Sequence, residues 1–510
     1  MPSPPRRLRA LSFLVAALCA VFLAACGGNG DPDGDPASVV PAAAPLYFEV
    51  TVRPEGDVRA DVEAAARKIF RQEEPFAELR RLIDQGLAEE DVSFEEDVEP
   101  WLGQRIGFFA TNLTQDEPDV AFVAAVEDTE EAIESISSTN ENEAKFQERE
   151  YNGTDYLFDP EDATALAAVD GFVVLGDEAL VGQLIDAQED GEMLTDNDRY
   201  SQAREAVGEE GIGFGYLNLQ ALLDLAGQDG SVPPQGIESI RKLVGESAAL
   251  SLTAQESAVA LDVVSLGAEP QPGTDPAAVA ESVRALPAGS LAGLGLGDVG
   301  QQIETQLTAS GLGPNVLGQV EQATGINVQE DLLSWMGQGS AFVQGTGLGD
   351  LGGALIVQTS DRQATLDALE QVQPLLETQG ATVEEFDEDG VEGLEAQFEG
   401  LPLPVYLVVA DERFLVAVGD AALGSAVRPE GALGDDEGFT QAAGALGEGM
   451  QPNFYASVPG LVALAESFGL AQDPSFQQAR PYLDAFTALV SGGARDGDVS
   501  RNRVALGLAE

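Results

Sequence analysis

Apolar residues recur along this chain with two periods, one typical of strands and one typical of short helices. The clearest helical segment surrounds Trp101, where Phe94, Val98 and Trp101 fall at helical spacing. A capping-box pattern, SFEE, precedes it, and Gly103 stands where a glycine would end a helix. We therefore expect a short amphipathic helix here, followed by a strand in the run RIGFFAT.

The same pattern returns about 240 residues later, which is the spacing of a duplicated domain rather than of a solenoid repeat. Val328, Leu332 and Trp335 repeat the apolar face, and NVQE repeats the cap. Gly337 repeats the glycine, and the strand-like run SAFVQG follows. Farther on, DVAFVAAVEDTEEAIESI corresponds to GGALIVQTSDRQATLDAL, which predicts a strand leading into a helix in each copy.

Two predicted hairpins also correspond. FQEREYNGTDYLF turns at Asn152-Gly153, and VEEFDEDGVEGLEAQF turns at Asp389-Gly390. Two-residue turns of this kind require positive φ, which asparagine, aspartate and glycine tolerate.

These correspondences predict a tandem duplication. Residues 45–266 would form the first repeat, the Pro- and Gly-rich residues 267–276 a linker, and residues 277–510 the second repeat. Since short turns join many of the strands, the predicted fold class is α+β. We expect two tandem pseudo-repeated domains, each a mainly antiparallel sheet with helices packed on one face.

The N-terminus has the pattern of an export signal. Three arginines precede an apolar stretch that is too short for an ordinary transmembrane helix and ends in LAAC, similar to a bacterial lipobox. We expect residues 1–25 to be a lipoprotein signal peptide and Cys26 to be the lipid-attachment site, carrying acyl chains such as palmitate. Residues 26–44 would be a flexible tether. The alternative is that Cys26 is incidental to an ordinary signal peptide or membrane anchor.

Composition removes several classes of function. The chain has no histidine, which excludes Ser-His-Asp and Cys-His catalysis and histidine-ligated metals. Cys19 lies in the signal and Cys26 would carry lipid, so the mature body has neither a free thiol nor a disulfide. The formal net charge of −63 repels nucleic acid, so no nucleic-acid partner is expected.

Several segments resemble a known family. PLYFEVTVRPEGDVRADVEA, DVEPWLGQRIGFF and LTDNDRYSQA, together with the signal, look like bacterial lipoproteins of the family called domain of unknown function three-three-five-two. The resemblance covers essentially the whole mature chain. The second copy departs from it, with Ser334 and Met336 in place of Pro100 and Leu102. The resemblance implies an exported, duplicated α+β lipoprotein and no established activity.

The two tryptophans are candidate ligand-stacking residues. Trp101 and Trp335 would stack on sugars or lipid chains if their rings were exposed. The alternative, favoured by the apolar residues at helical spacing around each ring, places both in the core.

Two corresponding oxygen-rich loops are candidate calcium-binding sites, and calcium is the one cofactor that the sequence suggests. Their acids are Asp196, Asp198, Asp435 and Glu437. The alternative, which we favour, is that each loop caps the next helix while Tyr200 or Phe439 packs inward. No catalytic residue and no other cofactor-binding residue is assigned. The G-x-G-x-x-G stretch that starts at Gly295 lacks the second strand and acid of a dinucleotide site.

Together these features predict an exported, membrane-anchored lipoprotein without enzymatic activity. It would face the extracytoplasmic side of the cell membrane and either bind a hydrophobic or oligomeric envelope ligand or serve a structural role with a protein partner. The alternative is an exported carboxylate-dependent hydrolase, such as a glycosidase, with or without calcium. Two buried carboxylates that face each other in a groove would favour the enzyme.

The acid excess predicts that salt stabilises this protein. Loss of the three signal arginines leaves a net charge of about −66, and counter-ions screen the resulting self-repulsion. Thermal unfolding followed by circular dichroism should therefore show a higher midpoint in molar NaCl than in dilute buffer. An unchanged or lower midpoint would contradict this prediction.

Overall fold

Antiparallel pairing joins the strands of this chain into sheets that carry its helices. The computed structural model describes residues 34–77, 80–81, 84, 93–112, 119–138, 146–160, 163–208, 211–228, 234–270, 273–309, 317–319, 321–322, 325–347 and 349–509. The chain divides into unit 1, Met1–Glu269 with Asp496–Arg501, and unit 2, Pro270–Arg495 with Asn502–Glu510. The predicted signal peptide and Cys26 lie outside the described residues.

Unit 1 is built on one antiparallel sheet. Its strands are β1 (Leu46–Thr51), β2 (Leu102–Asn112), β3 (Asp119–Val126), β4 (Gln147–Tyr151), β5 (Thr154–Asp159), β6 (Thr164–Val169), β7 (Phe172–Asp177), β8 (Gly213–Leu217), β9 (Ser247–Gln255) and β10 (Ala258–Leu266). Their order across the sheet is β4-β5-β6-β7-β3-β2-β1-β8-β9-β10.

Helices lie between these strands in sequence. They are α1 (Gly56–Phe70), α2 (Thr129–Ser138), α3 (Glu178–Asp190), α4 (Asp198–Val207), α5 (Leu219–Gln228) and α6 (Pro234–Val244). A π-helix covers Phe94–Val98, and 3-10 helices cover Pro36–Val39 and Leu194–Asp196.

Both faces of this sheet are covered, so the prediction of helices on one face is wrong for unit 1. Helices α2 and α3 each contact β6 and β7. Neighbouring residues of β7 belong to different cores: Val173 packs with Ala132 of α2, and Val174 packs with Leu184 of α3. Because successive side chains of a strand point to opposite faces, these two helices cover opposite sides. Such strands are near-continuous apolar runs, as in FVVLG.

Unit 2 is also built on an antiparallel sheet. Its strands are β11 (Ala292–Asp298), β12 (Met336–Gln344), β13 (Gly352–Thr359), β14 (Ala381–Glu388), β15 (Val391–Phe398), β16 (Val405–Ala410), β17 (Arg413–Val418), β18 (Gln451–Ser457), β19 (Phe486–Asp496) and β20 (Val499–Leu508). Asp496 of β19 and the first three residues of β20 group with unit 1. The strand order is β14-β15-β16-β17-β13-β12-β11-β18-β19-β20, which is the order of unit 1 with ten added to each number.

The helices of unit 2 are α7 (Pro276–Arg284), α8 (Val299–Ala309), α9 (Arg362–Thr378), α10 (Asp420–Val427), α11 (Glu437–Gly444), α12 (Val458–Ser467) and α13 (Pro474–Leu483). A π-helix covers Val328–Leu333, and 3-10 helices cover Leu433–Asp435 and Leu470–Gln472. None of the helices in the described ranges combines the length and apolar character needed to cross a bilayer.

The two predicted hairpin turns are confirmed. Asn152 and Gly153 have φ of 47° and 82°, and Asp389 and Gly390 have φ of 51° and 83°. Each pair joins strands in direct register, β4 with β5 and β14 with β15. Positive φ at both central residues is the geometry that matches the twist of the flanking strands.

The predicted tether 26–44 is wrong over its last ten residues. Ala37, Val39, Val40 and Ala44 are fully buried in the core of unit 1. Asp35 caps the 3-10 helix by accepting a hydrogen bond from the backbone N–H of Ala37 at 3.0 Å. A run of proline, alanine and valine has no helical or strand period, so its packing could not be recognised from the pattern.

The predicted helix-ending role of two glycines is also wrong. Gly103 lies in β2 and Gly337 in β12, after each π-helix has already ended. A Cβ at Gly103 would come within 2.7 Å of the carbonyl oxygen of Ala125 on β3. Close approach of a neighbouring strand, and not a helix end, therefore accounts for this glycine.

The turn geometry predicts a specific loss of stability. Gly390→Ala places a Cβ at positive φ and should lower the free energy of unfolding by about 1–2 kcal/mol. Gly424→Ala is the matched control, because Gly424 lies within helix α10 with open space around it. The control should be neutral or stabilising. Urea unfolding of both variants measures the difference, and equal effects would contradict the turn assignment.

Candidate functional site

Each tryptophan follows a short π-helix of the same design. Ser93 Oγ accepts a hydrogen bond from the backbone N–H of Glu96 at 3.3 Å, and Asn327 Oδ1 accepts one from Glu330 at 3.1 Å. The indole Nε1 of Trp101 donates to a backbone carbonyl four residues earlier, at 2.7 Å. That of Trp335 does the same at 2.9 Å. The predicted N-terminal caps are present.

In a capping box, the backbone N–H of the N-cap residue donates to the side chain three residues later. Here a different acid accepts this hydrogen bond. The N–H of Ser93 donates to Asp97 Oδ2, and the N–H of Asn327 donates to Asp331 Oδ2, both at 2.8 Å. The acid therefore lies four residues after the cap and not three. These helices have π-helical i→i+5 bonding, as in the bond from Glu99 N to Phe94 O, and the wider turn changes which side chain reaches back.

Both indole rings are buried. Trp101 is 7% exposed and Trp335 is 3% exposed. Trp101 packs among Phe94, Leu102 and Val173 in one core of unit 1. Stacking on a ligand requires exposed rings, so the ligand-stacking alternative is wrong, and the rings pack in the cores of their own units.

The calcium candidates lie on two helix-capping loops. Asp196, Asp198, Asp435 and Glu437 are all exposed. In unit 1, Asn197 Oδ1 accepts from the N–H of Arg199 at 2.9 Å, and in unit 2, Asp436 Oδ1 accepts from the N–H of Phe439 at 3.0 Å. Tyr200 and Phe439 are buried. Over the described part of the chain, no group of three metal-ligating side chains comes together.

A buried polar cluster that sequence reasoning missed lies where β1, β8 and α4 meet. Glu49 is 6% exposed, and both of its carboxylate oxygens have partners. Oε2 accepts from the hydroxyl of Tyr47 at 2.6 Å, and Oε1 accepts from Nη1 of Arg204 at 2.5 Å. The Arg204 guanidinium also lies 4.4 Å from the ring centroid of Phe214. Tyr200 completes the cluster by edge-on contact with Tyr47.

The cluster fixes the protonation of its members. Burial raises the pKa of Tyr47 well above its usual value, and the Glu49 carboxylate raises it further. Burial alone would lower the pKa of Arg204, but Glu49 and Tyr200 more than compensate and raise it. At neutral pH the phenol is therefore a hydrogen-bond donor and the guanidinium is charged. The signal in the sequence was one acid inside the apolar run LYFEVT.

An open depression of about 420 Å³ lies on unit 2, beside the capping loop of α11. Its polar lining includes Ser290, Asp436, Tyr455, Ser457 and Thr487. Burial raises the pKa of Tyr455, and the neighbouring Asp436 carboxylate raises it further, so its hydroxyl stays protonated. Ser457 Oγ accepts from the N–H of Gly460 at 3.2 Å.

One residue that lines this depression, Thr487, has a buried hydroxyl. Within the described ranges, Thr487 Oγ1 is buried and makes no hydrogen bond. This atom is closed off from solvent and lies against Gly507, where an added Cβ would come within 2.6 Å of it.

This geometry defines the class of protein: a mixed α and β protein with antiparallel sheets and polar groups set into both units. The chain belongs to the family described as "Protein of unknown function (DUF3352)", whose model matches residues 9–508. The predicted family is thus confirmed.

Individual proteins of known structure share little with this chain. None of the curated proteins compared with this chain matches it. Crystal form IV of TP0453 is similar at 12% identity and a TM-score of 0.25, over 46% of this chain and 80% of that one. Crystal form I of TP0453 gives 9% identity and a TM-score of 0.18, over 78% and 97%. At these TM-scores the likeness carries no argument about fold or function.

The polar cluster predicts a large effect of removing one partner. Arg204→Met leaves the Glu49 carboxylate buried without its cation and should lower the free energy of unfolding by roughly 2–3 kcal/mol. That range lies below the value for a fully buried pair because the Arg204 side chain is 30% exposed. Urea unfolding at neutral pH measures the loss.

The double variant Glu49→Gln with Arg204→Met is the control. It should recover part of the stability lost in Arg204→Met, since the buried charge is removed with its partner. Additive losses would contradict a direct interaction between the two side chains.

Proposed function

We propose that this protein is an exported lipoprotein, anchored by Cys26 at the extracytoplasmic face of the cell membrane, with a non-enzymatic structural or binding role. The anchor is supported by the sequence LAAC at the end of the apolar signal. The non-enzymatic role rests chiefly on Glu49, whose two oxygens are both engaged by Tyr47 and Arg204. A carboxylate held in this way is poorly placed to act as an acid, base or nucleophile.

Other acids support the same interpretation. Asp159 and Asp262 are also buried, and each has interaction partners. Glycoside hydrolysis needs two carboxylates that flank the scissile bond, about 5–10 Å apart. Among the described residues that line the depression of unit 2, Asp436 is the one carboxylate.

We also propose that the two units are tandem copies of one ancestral domain. Their equal strand orders support this, and so do matching backbone bonds. The N–H of Leu194 donates to Val40 O at 2.7 Å, and the N–H of Leu433 donates to Leu286 O at 2.6 Å. Isolated bridges follow at the next residue of each unit, Pro41 with Met193 and Pro287 with Ala432.

The copies begin earlier than the hydrophobic pattern predicts. Asp35 caps the backbone N–H of Ala37, and Asp275 caps that of Ala277, both at 3.0 Å and both within the sequence Asp-Pro-Ala. The proposed repeats therefore start at Asp35 and Asp275. If Cys26 carries lipid, nine peptide units separate it from Asp35, which limits their distance to about 30 Å. Unit 1 would then be held close to the membrane surface.

The anchor is tested by replacing each of the two cysteines. Cys26→Ala should move the protein from the membrane fraction to the soluble extracytoplasmic or secreted fraction and abolish labelling by radioactive palmitate. Cys19→Ala is the matched control, because Cys19 lies inside the apolar stretch of the signal and should leave labelling unchanged. Membrane retention and continued labelling of Cys26→Ala would contradict the proposal.

A further inference from the structure

We propose that the depression of unit 2 binds a guanidinium group, either of a small molecule or of an arginine side chain. The inference uses the correspondence between the two units proposed above and does not depend on the membrane anchor. Its basis is that the same place in unit 1 already holds a guanidinium from the chain itself.

The surroundings of this place correspond closely. Asn197 begins α4 and Asp436 begins α11. The buried ring pairs Tyr200 with Tyr216 and Phe439 with Tyr455 each have centroids 5.5 Å apart. Asn218 and Ser457 cap the next helices and donate their backbone N–H to Pro45 O and Leu291 O, both at 2.8 Å.

Unit 1 has an exposed ion pair at this place, with the Arg199 and Glu246 side chains 43% and 58% exposed. Arg199, the second residue of α4, approaches Glu246 with Nη2 3.6 Å from Oε2. Burial raises the pKa of Tyr216, and the positive charge of Arg199 partly opposes that rise. Arg199 directly precedes Tyr200, whose ring centroid lies 5.5 Å from that of Tyr216, the tyrosine that corresponds to Tyr455.

Unit 2 lacks both members of this pair. The second residue of α11 is Gly438, and the position that corresponds to Glu246 in the strand register is Thr487. A Cβ at Gly438 would lie 3.1 Å from Asp436 Oδ1 and 3.6 Å from the Tyr455 hydroxyl. Loss of the arginine side chain thus opens the depression, and loss of the glutamate leaves the buried Thr487 hydroxyl that has no partner in the described residues.

The charge of the depression selects a cation. The N-cap of the helix is the neutral Asn197 in unit 1 and the acidic Asp436 in unit 2. Compared with unit 1, the site in unit 2 therefore has one carboxylate more and one guanidinium less. Of the described lining residues, Asp436 alone has a carboxylate and none has a cationic side chain. The net charge of −63 also attracts cations to the surface. The N-termini of α11 and α12 oppose a cation with about half an elementary charge each. In unit 1, Arg199 likewise lies in the first turn of α4 and pairs with Glu246, whose backbone carbonyl accepts from Gln220 in the first turn of α5.

The hydrogen-bonding groups select guanidinium over a metal ion. A guanidinium has five N–H donors and no acceptor. The hydroxyl oxygens of Tyr455 and Ser457 can accept such bonds, while Asp436 supplies the opposite charge. The described residues bring together no set of three acids for a metal. A volume of about 420 Å³ is large enough for a guanidinium on a short alkyl chain.

The probe is n-butylguanidinium, measured against n-butylurea, which has a similar shape and no charge. Using the full chain, titration followed by NMR or calorimetry should give a Kd on the order of 1 mM for the cation and none measurable for the urea. Asp436→Asn should weaken binding at least tenfold. Asparagine also caps helices, as Asn197 does, so this variant should fold.

Asp473→Asn is the matched control, because Asp473 caps α13 and its replacement removes the same charge elsewhere. This variant should bind like the parent. Gly438→Arg should abolish binding by refilling the depression. The peptide Gly-Arg-Gly distinguishes the two sources of guanidinium: binding stronger than that of butylguanidinium indicates a protein partner, and weaker binding indicates a small molecule.

Three results would overturn the proposal. Equal binding of butylguanidinium and butylurea would show that charge plays no part. Equal loss in Asp436→Asn and Asp473→Asn would show only a general effect of net charge. Binding of inorganic phosphate in place of the cation would show that the helix N-termini dominate the depression. None of these results bears on lipidation of Cys26, which its own variant tests.

Discussion

Close packing against the first strand of each unit is the constraint on which the rest of the structure depends. In unit 2, the nine-residue helix α7 lies on β11, and a Cβ at Gly293 would meet Cδ1 of Leu286, two residues after the helix, at 2.5 Å. A Cβ at Gly295 would meet Val279 Cγ1 at 2.6 Å. The helix and the segment after it therefore require a strand without side chains at these positions, because protein interiors have no spare volume.

Unit 1 satisfies the same constraint in the opposite way. Its first helix is reduced to the 3-10 turn Pro36–Val39, and β1 carries Tyr47 and Glu49 at the positions that correspond to the two glycines. The buried acid needs a cation, which Arg204 supplies from α4. Unit 2 has no such acid and has Ala443 at the position of Arg204. Both units therefore have a packed core. Among the described residues, only the core of unit 1 contains a buried carboxylate.

Local chemistry in the sequence predicted the local features of this fold. Asn152-Gly153 and Asp389-Gly390 specify their turns because few other residues accept positive φ, and Ser93 and Asn327 cap because their side chains reach the next backbone N–H groups. Features that depend on distant parts of the chain were missed. Gly103 is required by the close approach of Ala125 on a neighbouring strand. Ala37 is buried in a segment whose apolar residues have no helical or strand period. The polar cluster and the depression were missed for the same reason, since Arg204 and Glu49 are 155 residues apart.

The correspondence between the ion pair of unit 1 and the depression of unit 2 is the central claim, and a double-mutant cycle on Gly438 and Thr487 tests it most directly. Thr487→Glu alone should lower the stability of unit 2, because a second carboxylate then lies near Asp436. Addition of Gly438→Arg should recover that loss with a favourable coupling of about 0.5–1 kcal/mol, as expected for a half-exposed ion pair like Arg199 with Glu246. Strictly additive effects in urea unfolding would contradict the correspondence.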